Sequence, residues 1–353
     1  MSDQEQLTAI GKSARNRIHN ITGTQVQSLI AKLDKIKPFL PSTLPLQQNV
    51  TENDYMTGEV NGGGGKHVLQ ECSIIGNLRR IGAFDVDLVS QPMIALEVGA
   101  GTGRLSERLQ RVSNNEMTHV LVDRQDFAPS QCRDGKMRQR SGHVSSVQRI
   151  VGDIANLDLG QYCQATQQCI CMSKHLCGPA CDLAISALEQ VDSPLRPPFA
   201  FATCCHYLCR LDVFAGKEFW PQLGLNEEDF EVAVAVSQWY SLMKASDIQS
   251  DHHNDTNAGG GYTDFEKLID IASAALKEQR SSSQYTMIPS EEFERNFSRG
   301  AKSKLGLDVK RLLDMLRVAK LQQLGYKAEI VLYTDRSIEN RLLVGSISEV
   351  DSW

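Results

Sequence analysis

Two short segments hold most of the side chains that could do chemistry. "CMSKHLCGPACDLA" (171–184) carries Cys171, Lys174, His175, Cys177 and Cys181, and "PPFAFATCCHYLCR" (197–210) carries Cys204, Cys205, His206 and Cys209. Thiolates and imidazoles hold zinc when they come in paired hairpins such as C-x2-C. Here the spacings are C-x3-C in one segment and adjacent cysteines, then a third after a gap of three, in the other. Neighbouring residues at a strand end point to opposite sides, so Cys204 and Cys205 do not suit one tetrahedral ion, and no metal site is expected. Cys169 and Cys171 sit in an apolar run, where cysteine behaves as a small hydrophobe. That leaves Lys174, His175 and His206 as the reactive set. A histidine titrates near neutrality and can take a proton, and a lysine can steady a developing anion. For each histidine the plainer alternative is a hydrogen-bonded core residue.

The elements around them point to a nucleoside-binding α/β sheet. "MIALEVGAGTGRLSERL" (93–109) reads as a buried strand, an acidic residue Glu97, and then Gly99, Gly101 and Gly103 opening a helix. Such glycines let the backbone turn sharply and pass close to a ligand. Glu97, two residues before the first glycine, is awkward beside a phosphate but suits a cationic or hydroxyl-bearing head, such as the amino-acid part of S-adenosylmethionine. "THVLVDRQ" ends a second strand with Asp123, placed to accept from ribose hydroxyls. "RIVGDIANL" ends a third with Asp153 and Ile154, placed for an adenine ring and its amino group. Three acids at successive strand ends make S-adenosylmethionine the expected cofactor.

Further strands are expected at "QCICMS", "FAFATC", "EVAVAV" (231–236), "YKAEIVLY" and "RLLVG", with helices over 103–112, 180–191 and 303–324. The cysteine segments then begin where strands stop, at the carboxyl edge where open α/β sheets bind ligands. The fold class is α/β, a mostly parallel doubly wound sheet. A helical N-terminal segment is expected over 1–48, a flexible linker over 49–65, and the main domain over 66–353 with a disordered insertion at 246–262. "KEQRSSSQY" (277–285) reads as a loop. The chain has 353 residues, a net charge of −6 and no stretch near eighteen apolar residues, so a membrane span is not expected. Its beginning has no apolar core of a secretory signal, and ten cysteines without one suggest reduced thiols in cytoplasm or nucleus.

Taken together, "KHVLQECSIIGNL" (66–78), "LEVGAGTGRLS" (96–106), "SKHLCGPACDLAISAL" (173–188), "ATCCHYLC" (202–209), "GKEFWPQLGL" (216–225) and "LQQLGYKAEIVLYTDRSIENRLLVG" (321–345) resemble one family. It is the tRNA 2′-O-methyltransferases that modify the fourth nucleotide of the acceptor stem. The resemblance implies a Rossmann-like class I methyltransferase, tRNA as substrate, and roles in catalysis for Lys174, His175 and His206. The family pattern continues "CCH" with a second histidine and an arginine, where this chain has Tyr207 and Leu208. Family members usually begin with small zinc-binding modules. Before Lys66 this sequence has no cysteine and only His19, so those modules are not expected here, and a protein partner is a candidate to replace them in docking tRNA.

Binding to an A-form stem needs cations that reach phosphates. "RNFSRGAKSKLGLDVKRLLDMLRVAK" (295–320) offers Arg299, Lys302, Lys304, Lys310 and Arg311 as the expected RNA contacts, and 133–149 supplies a second basic stretch. Each could equally be a solvated face. Three other readings stay open: a methyltransferase for a small molecule or protein, a noncatalytic RNA-binding relative, and a thiol- or zinc-dependent regulatory protein.

Overall fold

Apolar runs that alternate with amphipathic stretches have no way to bury both strand faces except in a sheet covered by helices. The computed structural model has that arrangement. It describes residues 17–50, 65–83, 93–113, 117–139, 146–164, 168–241 and 297–347. Most of the expected linker, the expected insertion at 246–262 and the loop at 277–285 lie outside the described residues. Contacts divide the chain into two units, Met1–Thr43 with Cys205–Ala319, and Leu44–Cys204 with Lys320–Trp353.

The second of these holds the sheet. Its strands are β1 (Met93–Val98), β2 (Met117–Asp123), β3 (Ser146–Val151), β4 (Gln168–Cys177), β5 (Phe199–Cys204), β6 (Tyr326–Leu332) and β7 (Arg341–Ile347). They lie in the order β3-β2-β1-β4-β5-β7-β6. Pairs among β1 to β5 are parallel, while β7 runs antiparallel to both β5 and β6. The order reverses between β1 and β4, which is the switch point where doubly wound sheets open a crevice. This is the mostly parallel α/β sheet expected of a Rossmann-like class I methyltransferase. Helices α2 (Gly65–Arg80), α3 (Arg104–Val112), α4 (Asp134–Gln139) and α5 (Pro179–Glu189) belong to the same unit. Ile74, Ile75 and Leu78 of α2 pack with Ala95, Ile170 and Leu109 in one buried cluster. At the β6 edge, Leu332 donates to Pro45 O at 2.9 Å and accepts from Gln47 N at 2.8 Å, which shields an otherwise open ladder.

Two expectations about elements need correcting. β4 does not stop at Ser173; it continues through "KHLC" to Cys177. Ser173 pairs with Phe201 and Leu176 with Thr203, so β4 spends one more residue than β5 between those pairs. That extra residue is a β-bulge, and it falls on Lys174 and His175. The second correction is "EVAVAV", which is helical within α6 (Glu227–Ser241). Asn226 and Asp229 cap its start reciprocally: Asp229 N donates to Asn226 Oδ1 at 2.9 Å and Asn226 N to Asp229 Oδ2 at 2.8 Å. Val232 to Val236 are all buried, and a helix that is apolar all round loses the periodicity that would announce it.

Helix α6 lies in the other unit with α1 (Gly23–Ile36) and most of α7 (Arg299–Gln323). Thr22 and Gln25 form a capping box at the start of α1. Leu29 and Leu33 pack with Trp220, Phe230, Leu313 and Leu316. Helices α6 and α7 approach closely because residue 306 is glycine: a Cβ there would lie 2.8 Å from Tyr240 N. Lys32 Nζ bridges both oxygens of Asp229 at 2.8 and 2.7 Å. Among the described residues, no helix is long and apolar enough to cross a membrane.

Candidate active site

The glycine turn between β1 and α3 adopts the backbone its residues foretold. Gly99, Gly101 and Gly103 have φ of 66°, 53° and 83°, a region that carries a Cβ penalty for other residues. Gly101 is held through the peptide planes on both of its sides. Its N–H donates to Asp123 Oδ2 at 2.7 Å, and its carbonyl accepts from Arg149 Nη1 at 2.8 Å. A Cβ on Gly101 would meet nothing within 4 Å, so the turn presents open space on that side. Asp123 Oδ1 accepts from Gln125 N at 2.8 Å, and each carboxylate oxygen keeps a further lone pair for a ligand hydroxyl. At the end of β3, Asp153 Oδ1 caps a turn by accepting from Ala155 N at 3.0 Å. Its Oδ2 lies 3.4 Å from Arg124 Nε, and Ile154 is buried beneath. An open cradle, two strand-end carboxylates and a buried apolar residue fit a nucleoside-bearing methyl donor.

Glu97 stands apart from the other acids. It is 2 % exposed, and its Oε2 accepts from Ser106 Oγ at 2.6 Å and Ser106 N at 3.0 Å. Through Oε2 it therefore anchors the first turn of α3. Burial raises its pKa to about 7, against the pull of the Ser106 bonds. His119 on β2 shows the opposite shift: burial lowers it to about 4, and neither ring nitrogen has a hydrogen-bond partner among the described residues.

These two groups set opposing pH slopes. Glu97 takes up a proton on folding, so its contribution is full below pH 4.5 and lost as pH rises towards about 7. His119 sheds one, so its contribution is full above pH 6.5 and lost as pH falls towards about 4. Each is worth about 3 kcal/mol at its extreme, from ~1.4 kcal/mol per pKa unit. The slopes oppose one another between pH 4.5 and 6.5. Urea midpoints of a Glu97→Gln variant should fall on acidification through that window, and those of a His119→Leu variant should rise. Parallel profiles for the two variants would contradict this assignment.

The bulge brings Lys174 and His175 to the same unit as the glycine turn. A Cβ on Gly99 would stand 3.3 Å from His175 O, so turn and bulge touch through backbone. Lys174 is buried, with Nζ 2.7 Å from Glu71 Oε1 and 3.2 Å from His67 O. Burial lowers its pKa below the ordinary lysine value, and Glu71 works against that shift. His175 is exposed. Nearby, the Sγ atoms of Cys177 and Cys204 lie 3.0 Å apart.

His206 belongs to the other unit and is fully buried. Its Nε2 donates to Asp314 Oδ1 at 2.7 Å, while Nδ1 has no hydrogen-bond partner among the described residues. Burial lowers its pKa, with Asp314 pulling the other way. Asp314 Oδ1 also accepts from Arg317 Nη1 at 3.1 Å.

The expected RNA contacts separate along α7. Arg299 and Lys304 are exposed and Lys302 is half-buried, its ammonium 5.5 Å from the Trp239 ring centroid. Lys310 is fully buried, 3.1 Å from Ser241 Oγ and over the Tyr240 ring, so it does not face solvent. Arg311 donates to the Ser42 carbonyl and pairs with Asp308 at 3.6 Å.

Sequence reasoning passed over Glu71, Ser106, Arg149, Asp134 and Asp314. Glu71 had a readable signal, since it shares a helical face with Val68, Cys72 and Ile75 and is therefore an acid on an apolar stripe.

Comparison with known proteins matches this sequence to one family. The family model "Methyltransferase TRM13" matches residues 69–346. A "tRNA:m(4)X modification enzyme TRM13 homolog" of Dictyostelium discoideum is 26% identical over 80% of this chain, which spans 53% of that protein. The Schizosaccharomyces pombe "tRNA:m(4)X modification enzyme TRM13" is 24% identical over 96% of this chain and 82% of its own length. A human protein of the same description is 25% identical over 92% of this chain and 74% of its own length. The chain thus belongs to the TRM13 methyltransferase family.

Proposed function

We propose that this protein transfers a methyl group from S-adenosylmethionine to the ribose 2′-hydroxyl of nucleotide 4 in a tRNA acceptor stem. The observation that carries this reading is the backbone contact between Gly99 and His175, which joins the donor turn to the Lys174–His175 bulge. Relatives described as tRNA:m(4)X modification enzymes support the substrate and the nucleotide.

Bound S-adenosylmethionine supplies an electrophilic methyl on a sulfonium sulfur. The protein's task is to orient that group and to help a weakly acidic hydroxyl lose its proton. Asp123 accepts from the donor's ribose hydroxyls, and Asp153 with Ile154 frames its adenine. Glu97 acts from behind by fixing α3 through Ser106. His175, exposed on the bulge, receives the hydroxyl proton on a ring nitrogen. Lys174, held by Glu71, offers positive charge to the oxygen as it becomes anionic. His206 is the second candidate for the proton through its unpartnered Nδ1, but its complete burial favours His175. Arg299, Lys302 and Lys304 serve phosphates of the stem; the burial of Lys310 removes it from that set.

An A-form duplex displays its 2′-hydroxyls in a wide, shallow minor groove, so the target needs no base flipping. Incubation with S-adenosylmethionine and total tRNA, followed by mass spectrometry of nuclease fragments, should show a methylated ribose at nucleotide 4. A His175→Ala variant should lose activity by about 10²-fold or more. Methylation on a base, on a different nucleotide, or on no RNA would overturn the proposal.

A further inference from the structure

Arg149 sits near the end of β3, in the basic stretch first read as a surface for RNA. Its guanidinium is turned inward. Nε and Nη2 form a two-pronged bond to Asp134 Oδ2 and Oδ1, each at 2.8 Å. The remaining nitrogen, Nη1, donates to the carbonyl of Gly101 at 2.8 Å. We infer that Arg149, gripped by Asp134, is a positioning residue for the methyl donor: it fixes the peptide plane that follows Gly101, while Asp123 fixes the plane that precedes it.

The shape of the turn is what makes such fixing matter. Gly101 has positive φ and open space on its outer side, so its two backbone torsions are little restrained by sterics and it stands close to where the donor would lie. With only one of its two flanking peptide planes bonded, the other can turn about the Gly101 Cα. Bonds to both planes hold φ and ψ of Gly101 in one arrangement before ligand arrives, which lowers the ordering cost of binding. The carboxylate that bonds the Gly101 N–H is Asp123, the residue assigned to the donor's ribose. Fixing the turn at Gly101 therefore also helps to fix the ribose acceptor. Asp134 is itself buried and opens α4, so the arginine is anchored to a regular element instead of a loop. The adjoining backbone adds a further tie, with Arg133 N donating to Thr102 O at 2.9 Å. A planar fork is needed here, since one side chain must hold both carboxylate oxygens and still reach a carbonyl. Lysine carries the charge without that geometry.

This inference rests on the donor-site reading of the glycine turn. The test is calorimetric titration of the purified chain with S-adenosylhomocysteine, alongside methylation kinetics with tRNA and thermal melts. An Arg149→Lys variant keeps a cation beside Asp134, so melting should change little. Its S-adenosylhomocysteine Kd and its KM for the donor should rise about tenfold, with kcat at saturating donor within about twofold of wild type. Asp134→Asn, which keeps the Gly101 bond but loosens the fork, should give a smaller rise in the same direction. An unchanged Kd in a folded Arg149→Lys protein overturns the inference, as does a loss confined to tRNA affinity. A wild-type chain that binds no S-adenosylhomocysteine overturns the donor-site reading itself, and the inference falls with it.

Discussion

Truncating Asp314 to alanine should destabilise the fold by about 3–5 kcal/mol, the range found when one partner of a buried charged pair is removed. Asp314 is fully buried and accepts from two buried groups, His206 Nε2 at 2.7 Å and Arg317 Nη1 at 3.1 Å. Arg317 is 1 % exposed, and its charge has no easy route to water once the carboxylate is gone. Arg317 also lies 3.1 Å from Cys209 Sγ and 5.6 Å from the Phe214 ring centroid, both neutral groups. Since ordinary domains are stable by only about 5–15 kcal/mol, this change alone should bring much of the chain near unfolding. Chemical denaturation followed by circular dichroism measures the loss. Asp314→Asn, which keeps an acceptor for His206 but drops the charge, should cost less. A midpoint in Asp314→Ala indistinguishable from wild type would mean that Arg317 finds its compensation elsewhere.

Replacing Lys174 with methionine should lower turnover by about 10²–10³-fold, the range seen when one group that stabilises developing negative charge is lost. Methionine matches the apolar stem of lysine, so packing at the bulge is largely kept. The complication is Glu71, which is buried and loses its 2.7 Å partner, though Arg108 Nε lies 3.7 Å from its other oxygen. Some of the damage would then be to stability. Combining Lys174→Met with Glu71→Leu separates the two effects, because removing both charges relieves the unpaired carboxylate. The double variant should melt closer to wild type than Lys174→Met while remaining as inactive. Recovery of turnover in the double variant would reduce Lys174 to a counter-ion for Glu71.

Much of the sheet was readable because parallel strands are buried on both faces and so appear as unbroken apolar runs. "MIALEV" and "FAFATC" are buried at every position. The glycine turn was readable for a different reason, since its backbone angles nearly demand glycine. Helix α6 was missed because its caps, Asn226 and Asp229, decide the conformation while the eye follows valines. The ion pairs were out of reach. Lys174 and Glu71 are 103 residues apart, and His206 and Asp314 are 108 apart, so nothing local names one from the other. Lys310 illustrates a signal that was present but outweighed by charge. It shares a helical stripe with Gly306, Leu313, Asp314 and Arg317, and a lysine on that stripe is drawn inward with its neighbours.

The bulge in β4 gives the strand one residue more than its neighbour without changing which face either half presents. Up to Ser173 the ladder to β5 keeps step, and from Leu176 it resumes one residue late. Because β5 runs on unbroken, Ser173 and Leu176 still take the faces of Phe201 and Thr203. Deleting one residue at Lys174 or His175 would therefore close the ladder with the core side chains beyond it unmoved, and what would vanish is the local bend that the extra residue provides.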